Sequence, residues 1–193
     1  RIPIKESDEK NPINPYAASK AAQDMVSMVY SSSYNIPIIR TRAFNHEGPR
    51  RGILGANASF AYQIARIERD MQEPTIKVGN LEATRNFTDV LDLVRAYYLA
   101  MQKGVPSELY LIGSQNIFTM KQCLETLIDL SSRSNEITYE VDPKRVRPNE
   151  LKTFIGDFKK FNDLTDWKPE IPFEETMASV LNYWRKFIDK GYY

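Results

Sequence analysis

Tyr16 and Lys20 stand four residues apart near the start of a helical pattern, so both side chains leave one face at neighbouring turns and can share a ligand. A free phenol titrates near pH ~10, and an adjacent ammonium that favours the phenolate moves it towards acid–base work at neutral pH. Taken as bare spacing, the pair is equally what a solvated helix face carries. The surrounding residues have to decide between the two. Other catalytic classes are thinly supplied. One histidine, His46, excludes any multi-histidine metal cage, and one cysteine, Cys123, excludes an internal disulfide framework and fits a reducing compartment.

Several elements must position these groups. Asn14 before Pro15 is a helix start, because the amide side chain can cap an orphan N–H and proline sits where its missing N–H costs nothing. The pattern predicts a helix over about residues 15–32 with Ala18, Ala22, Met25 and Val29 on one stripe. Residues 36–44 begin as an apolar run that suits a strand in a parallel sheet, with Pro37 at its beginning. Gly48, Pro49, Gly52 and Gly55 make 45–57 a loop. Phe60, Ile64, Ile67 and Met71 recur at helical spacing; 75–78 and 85–88 read as short strands around Gly79 and Asn80. Thr88 and Asp89 open a helix carrying Val90, Leu93, Val94, Tyr97 and Met101, closed by Gly104. A strand follows at 109–112, then a capping box from Thr119 to Gln122 with Leu124, Leu127 and Ile128 behind it. Residues 137–141 alternate like a strand and 142–150 form a basic loop. A last helix over about 172–190 buries Phe173, Met177, Leu181, Trp184 and Ile188.

This alternation predicts an α/β fold. Composition bounds the rest. The 193 residues are 42% hydrophobic and 26% charged, enough for one sizeable core, and the formal net charge of +1 supplies no global field for nucleic acid or anionic membrane. Lys144, Arg145 and Arg147 form a basic run, but without interleaved aromatics it does not read as a nucleic-acid site. No apolar run approaches a membrane span and residues 1–10 lack a signal-peptide core, which predicts a soluble cytoplasmic protein. Neither a Gly-x-Gly-x-x-Gly turn nor a P-loop is present; Gly48, Gly52 and Gly55 have the wrong spacing.

The run Asn-Pro-Tyr-Ala-Ala-Ser-Lys at 14–20 resembles the catalytic signature of the extended short-chain dehydrogenase/reductases. The run Arg-Ala-Phe-Asn-His-Glu-Gly-Pro-Arg-Arg at 42–51 is similar to a loop of the GDP-mannose 4,6-dehydratases and the related GDP-4-keto-6-deoxymannose reductases. Blocks 79–89, 146–150 and 167–174 are similar to further blocks of the same group, so the likeness spans almost the whole chain. It corresponds to about the C-terminal three-fifths of such an enzyme. The resemblance implies the C-terminal part of a Rossmann-like parallel sheet plus a small α/β substrate-binding domain. Residues 1–56 would belong to the Rossmann-like part with the catalytic helix. Residues 57–193 would build the nucleotide-sugar domain and return elements to the sheet.

The same resemblance implies roles. Tyr16 would exchange a proton with a sugar oxygen, and Lys20 would hold the nicotinamide ribose and lower the tyrosine pKa. His46 and Arg51 would contact the NADP or NAD cofactor with them, and Asn45 would meet the nucleotide sugar. Arg85, Arg147 and Glu150 would hold the GDP portion, since a planar guanidinium takes two phosphate oxygens and a carboxylate accepts from ribose or base. Alone, His46 reads as a structural histidine and the arginines as exposed ion pairs of about 0 to 1 kcal/mol each.

Two departures qualify the likeness. Gln63 stands where the dehydratases carry a phosphate-pairing lysine, which leans towards the reductases. The main cofactor-binding motif and any catalytic residue upstream of Tyr16 are absent from this sequence, and Glu6 is too close to Tyr16 to be the dehydratase glutamate. Two further readings stand beside the enzyme of the GDP-mannose series. One is a non-catalytic binding or assembly fragment, and the other an epimerase or dehydratase of UDP- or dTDP-sugars. The expected partners are a GDP-sugar and a second copy of the chain, with no metal, nucleic acid or membrane.

Overall fold

A computed structural model describes residues 2–146 and 149–191. The first helix, α1 (Pro15–Tyr34), starts as its sequence demands: Asn14 Oδ1 accepts the Ala17 N–H at 2.8 Å, and Pro15 fills the first turn. It ends at Asn35 in the left-handed conformation, φ 53°. Its apolar stripe faces outward in the described chain. Ala18, Ala22, Met25 and Val29 are exposed, while the line Ala17, Ala21, Asp24 and Ser27 is half-buried and Ser31 is buried. The helix meets the rest of the described chain through this line of small and polar residues, and the apolar stripe is turned outward.

The next strand is shorter than expected. β1 (Arg40–Ala43) pairs in parallel with β6 (Leu109–Ile112), in the register Arg40 to Leu109 through Ala43 to Ile112. The residues before it are spent elsewhere: the Ile36 carbonyl accepts from Ile38 N–H and Ser31 Oγ, and the Ile38 carbonyl from Ser107 N–H. Pro37 therefore precedes the ladder rather than opening it. The expected loop at 45–57 contains a short strand, β2 (His46–Glu47), parallel to β5 (Thr88–Asp89). It also contains the start of α2 (Ala56–Ile67).

The main core forms where α2 meets α4 (Met120–Asp129) and α6 (Phe173–Asp189), with Ile64, Leu124, Leu127, Met177 and Leu181 fully buried. All five apolar positions expected of the last helix are inside. Thr119 and Gln122 close the capping box reciprocally at the start of α4. α2 stops at Ile67, so Met71 packs on the core from beyond its end.

The strands around Gly79 and Asn80 do not pair with each other. β3 (Thr75–Val78) lies parallel to β8 (Thr138–Val141), and β4 (Thr84–Asn86) sits between antiparallel β7 (Ile117–Thr119) and parallel β9 (Thr153–Phe154). A hairpin reading fails because partners come from residues more than thirty positions away. A second cluster joins α3 (Val90–Lys103), β6 and α5 (Lys159–Thr165) around Trp167. Asp89 caps α3 by accepting the Leu91 N–H at 2.8 Å. Leu93, Ala96 and Ala100 point inward, but Val94, Tyr97 and Met101, expected with the apolar set, are exposed.

Candidate active site

Asn14 and Pro15 fix where α1 begins, which places Tyr16 in its first turn and Lys20 one turn on. Lys20 Nζ lies 5.9 Å from the centre of the Tyr16 ring and donates to Gln23 Oε1 at 3.2 Å. Tyr16 is 72% exposed, so its phenol faces open space instead of the apolar interior. The geometry gives a phenol and an ammonium on one accessible face, which is what proton exchange with a bound molecule needs.

The segment after β1 carries the next candidates. Asn45 is half-buried, and its carbonyl accepts from Thr88 N–H at 3.1 Å. His46 is held by its Nδ1 against the Phe44 carbonyl at 3.0 Å, which fixes the ring and leaves Nε2 for another partner. Arg51 is exposed at the surface of the following turn. Glu47 is 5% exposed, and burial pushes its carboxyl up to about 7 against the opposing charge of Arg51. Burial, reinforced by Glu47, likewise pushes the Cys123 thiol up to about 12, so the free thiol stays protonated at neutral pH. No group of three or more potential metal ligands forms among the described residues.

Arg85 and Glu150 lie 3.9 Å apart. Arg85 donates from Nη2 to the Leu151 carbonyl at 2.7 Å and from Nη1 to Thr84 and Lys152 carbonyls, so it also clamps the chain that enters β9. Arg147 lies outside the described residues. Gln63 is buried and uses both ends of its amide on one residue of β3: Nε2 donates to the Lys77 carbonyl at 3.1 Å and Oε1 accepts the Lys77 N–H at 2.8 Å. Its side chain splices α2 to the strand.

Side chains in or beside two of the blocks singled out in the sequence also brace the fold. Asn86 donates to Ser114 and accepts from Gly156, joining three segments. Asp92 accepts from Arg95 and from the Glu170 and Ile171 N–H groups, which holds the Trp167 turn against α3.

The sequence reading missed Asp24. It lies four residues after Lys20 and pairs with Arg40 at 3.0 Å, Lys10 at 2.9 Å and Arg42. Burial opposes its ionisation, but hydrogen bonds from Arg42, Lys10 and Arg40 prevail and hold the carboxyl down at about 2. The signal was present: an acid on the inward face of α1, and arginines two apart on the next strand and so on one face of it. A cleft of ≈ 750 Å³ opens beside this cluster between Glu6, Arg40, Arg42, Glu108 and Lys160; Tyr16 and Lys20 do not line it.

A family model described as GDP-mannose 4,6 dehydratase matches residues 1–180. The GDP-6-deoxy-D-mannose reductase of Pseudomonas aeruginosa is 31% identical over 183 residues, spanning 95% of this chain and 60% of the relative. GDP-mannose 4,6 dehydratase 1 of Arabidopsis thaliana is 28% identical over 180 residues, spanning 93% of this chain and 49% of the relative. Among solved structures, RMD from Pseudomonas aeruginosa complexed with NADPH superposes with a TM-score of 0.88 at 29% identity, over 96% of this chain and 61% of that one. The chain thus spans about half to three-fifths of the length of the relatives it matches.

Proposed function

We propose that this chain, which belongs to the GDP-mannose 4,6 dehydratase family, supplies the proton-transfer face and the nucleotide-sugar pocket of an NAD(P)-dependent enzyme of the GDP-mannose series. The observation that carries the reading is the accessible Tyr16 and Lys20 pair, set by a capped helix start within a chain that matches the family over residues 1–180. In this reading residues 1–56 bear the reacting groups and residues 57–193 build most of the sugar-nucleotide pocket.

The residues present fit the nicotinamide end of a cofactor, because an exposed phenol and ammonium on one face can meet ribose hydroxyls and the oriented His46 has a ring nitrogen to spare. The cofactor, when bound, supplies or accepts the hydride at sugar C4. The chain's own part is the proton. Tyr16 Oη gives it to the C4 keto oxygen in the reducing direction or takes it from the C4 hydroxyl in the oxidising one. Lys20 brings positive charge beside the phenol as negative charge builds there, and Asn45 orients the sugar. Arg85 and Glu150 hold the GDP end, with Arg147 assigned to the same end from its sequence block.

Within the series we favour the reductase. Gln63 leaves no cation at the dehydratase lysine position, and both ends of its amide are engaged by β3. The test uses the complete gene product. Tyr16→Phe should lower turnover of GDP-4-keto-6-deoxymannose by about 100-fold or more, with GDP affinity within about two-fold of the parent. Retained turnover would overturn the proton carrier. Calorimetry should rank GDP above UDP and dTDP, and a preference for UDP would overturn the substrate.

A further inference from the structure

We propose that Asp24 is the positioning residue of this site: its ion pairs with Arg40, Arg42 and Lys10 set the height and rotation of α1, and thereby the placement of Tyr16 and Lys20 over the sheet. The inference rests on the proposed proton transfer by Tyr16.

Three observations lead to it. First, within the described chain α1 turns Met25, Val26, Met28 and Val29 outward, so these apolar side chains do not set its place on β1. Its polar ties to the rest of the described chain run through Asp24 and through Ser31, whose hydroxyl bonds the Ile36 carbonyl at 2.9 Å and Ser107 Oγ at 2.7 Å. Ser31 is eleven residues beyond Lys20, about 16 Å along the axis, so it cannot fix the reacting end. Asp24 is one turn from Lys20 and about 12 Å from the level of Tyr16, within about a quarter turn of both around the axis.

Second, the carboxylate joins the parts that must agree in position. Oδ1 accepts from Arg40 and Oδ2 from Arg42, both on β1, while Lys10 ties the segment that leads into the Asn14 cap to the same group. Arg42 stands three residues before Asn45 and four before His46. The single carboxylate therefore registers the helix that bears Tyr16 and Lys20 against the strand that delivers Asn45 and His46.

Third, the cluster is built to hold. The Asp24 side chain is 11% exposed, its two oxygens are engaged by three cations, and Arg40 is braced in turn by the Ser107 carbonyl at 3.0 Å. Charge-assisted bonds shielded from water keep their geometry where an exposed pair would not.

The experiment compares Asp24→Asn, Asp24→Glu, Arg42→Lys and Tyr16→Phe in the complete gene product, with turnover expressed per folded molecule. Asp24→Asn should lower kcat about ten-fold or more, leave KM for the nucleotide sugar within about two-fold, and raise the solvent deuterium isotope effect on kcat, as a misplaced proton donor requires. Asp24→Glu should restore kcat to within about three-fold of the parent, and Arg42→Lys, which keeps the charge but loses the guanidinium fork, should fall between. Unchanged kcat and isotope effect in Asp24→Asn would overturn the proposal. Should that variant not fold, unchanged kcat and isotope effect in Arg42→Lys would overturn it equally. If Tyr16→Phe itself stays active, the proton-transfer reading fails, whatever Asp24 does.

Discussion

Glu47 illustrates how much one buried carboxyl can govern. It sits one residue after the oriented His46, and burial raises its carboxyl from the usual 4.5 to about 7, with Arg51 opposing. A folded-state value above the unfolded one means that the folded chain holds the proton more tightly. The stabilisation is complete below pH 4.5 and is lost as pH rises through about 7. The full difference is on the order of 3 kcal/mol. Glu47→Gln, which keeps the shape and removes the titration, should nearly match the parent near pH ~4 and melt about 5 to 10 °C higher at pH ~8. Parallel pH curves for the two proteins would show that Glu47 does not titrate with folding. His46 would be retained in both proteins, so the comparison leaves the candidate site intact.

Helix termini were the part of the fold most open to reading from sequence, and tertiary brackets the part most closed to it. Asn14, Thr119 and Asp89 cap helices through bonds to residues two or three positions away, so local chemistry suffices to place them. Likewise, Tyr16 and Lys20 are legible because one helical turn relates them. Asp24, Asp92 and Gln63 were not legible, since their partners arrive from residues 16, 78 and 14 positions away, respectively. Strand partners failed for the same reason: β3 and β4 are neighbours in sequence but belong to different sheets. The two kinds of residue should also differ in energetic weight. Thr119→Ala removes a cap and should lower stability by about 1 kcal/mol. Asp92→Ala strands the N–H groups of Glu170 and Ile171 beside the buried Trp167, and should lower it by about 2 to 3 kcal/mol. Chemical denaturation of both variants checks the order; equal losses would mean that the Asp92 bracket contributes no more than a local cap.

At the scale of the whole molecule, the distribution of apolar surface is the feature to explain. The core is well formed around α2, α4 and α6, yet α1 shows Met25, Val26, Met28, Val29 and Tyr30 to solvent and α3 shows Leu91, Val94, Tyr98 and Met101. Both helices belong with the two-stranded sheet of β1 and β6, beside which no further strand lies among the described residues. Apolar faces of this extent next to an open sheet edge drive association in water, because covering them releases about 25 cal/mol for each Å² removed. The 193-residue chain expressed by itself should therefore scatter light as a species well above 22.3 kDa, increasingly so with concentration. Lysine at Met25 and Val29 tests the α1 face, and lysine at Val94 and Met101 tests the α3 face. Neither pair touches the Asp24 or Asp92 brackets, so secondary structure should persist while the scattering mass falls for whichever face carries the contact. A monomer of unchanged mass at high concentration would mean that these faces are stable in water as they stand, and the outward turn of α1 would then need no covering surface at all.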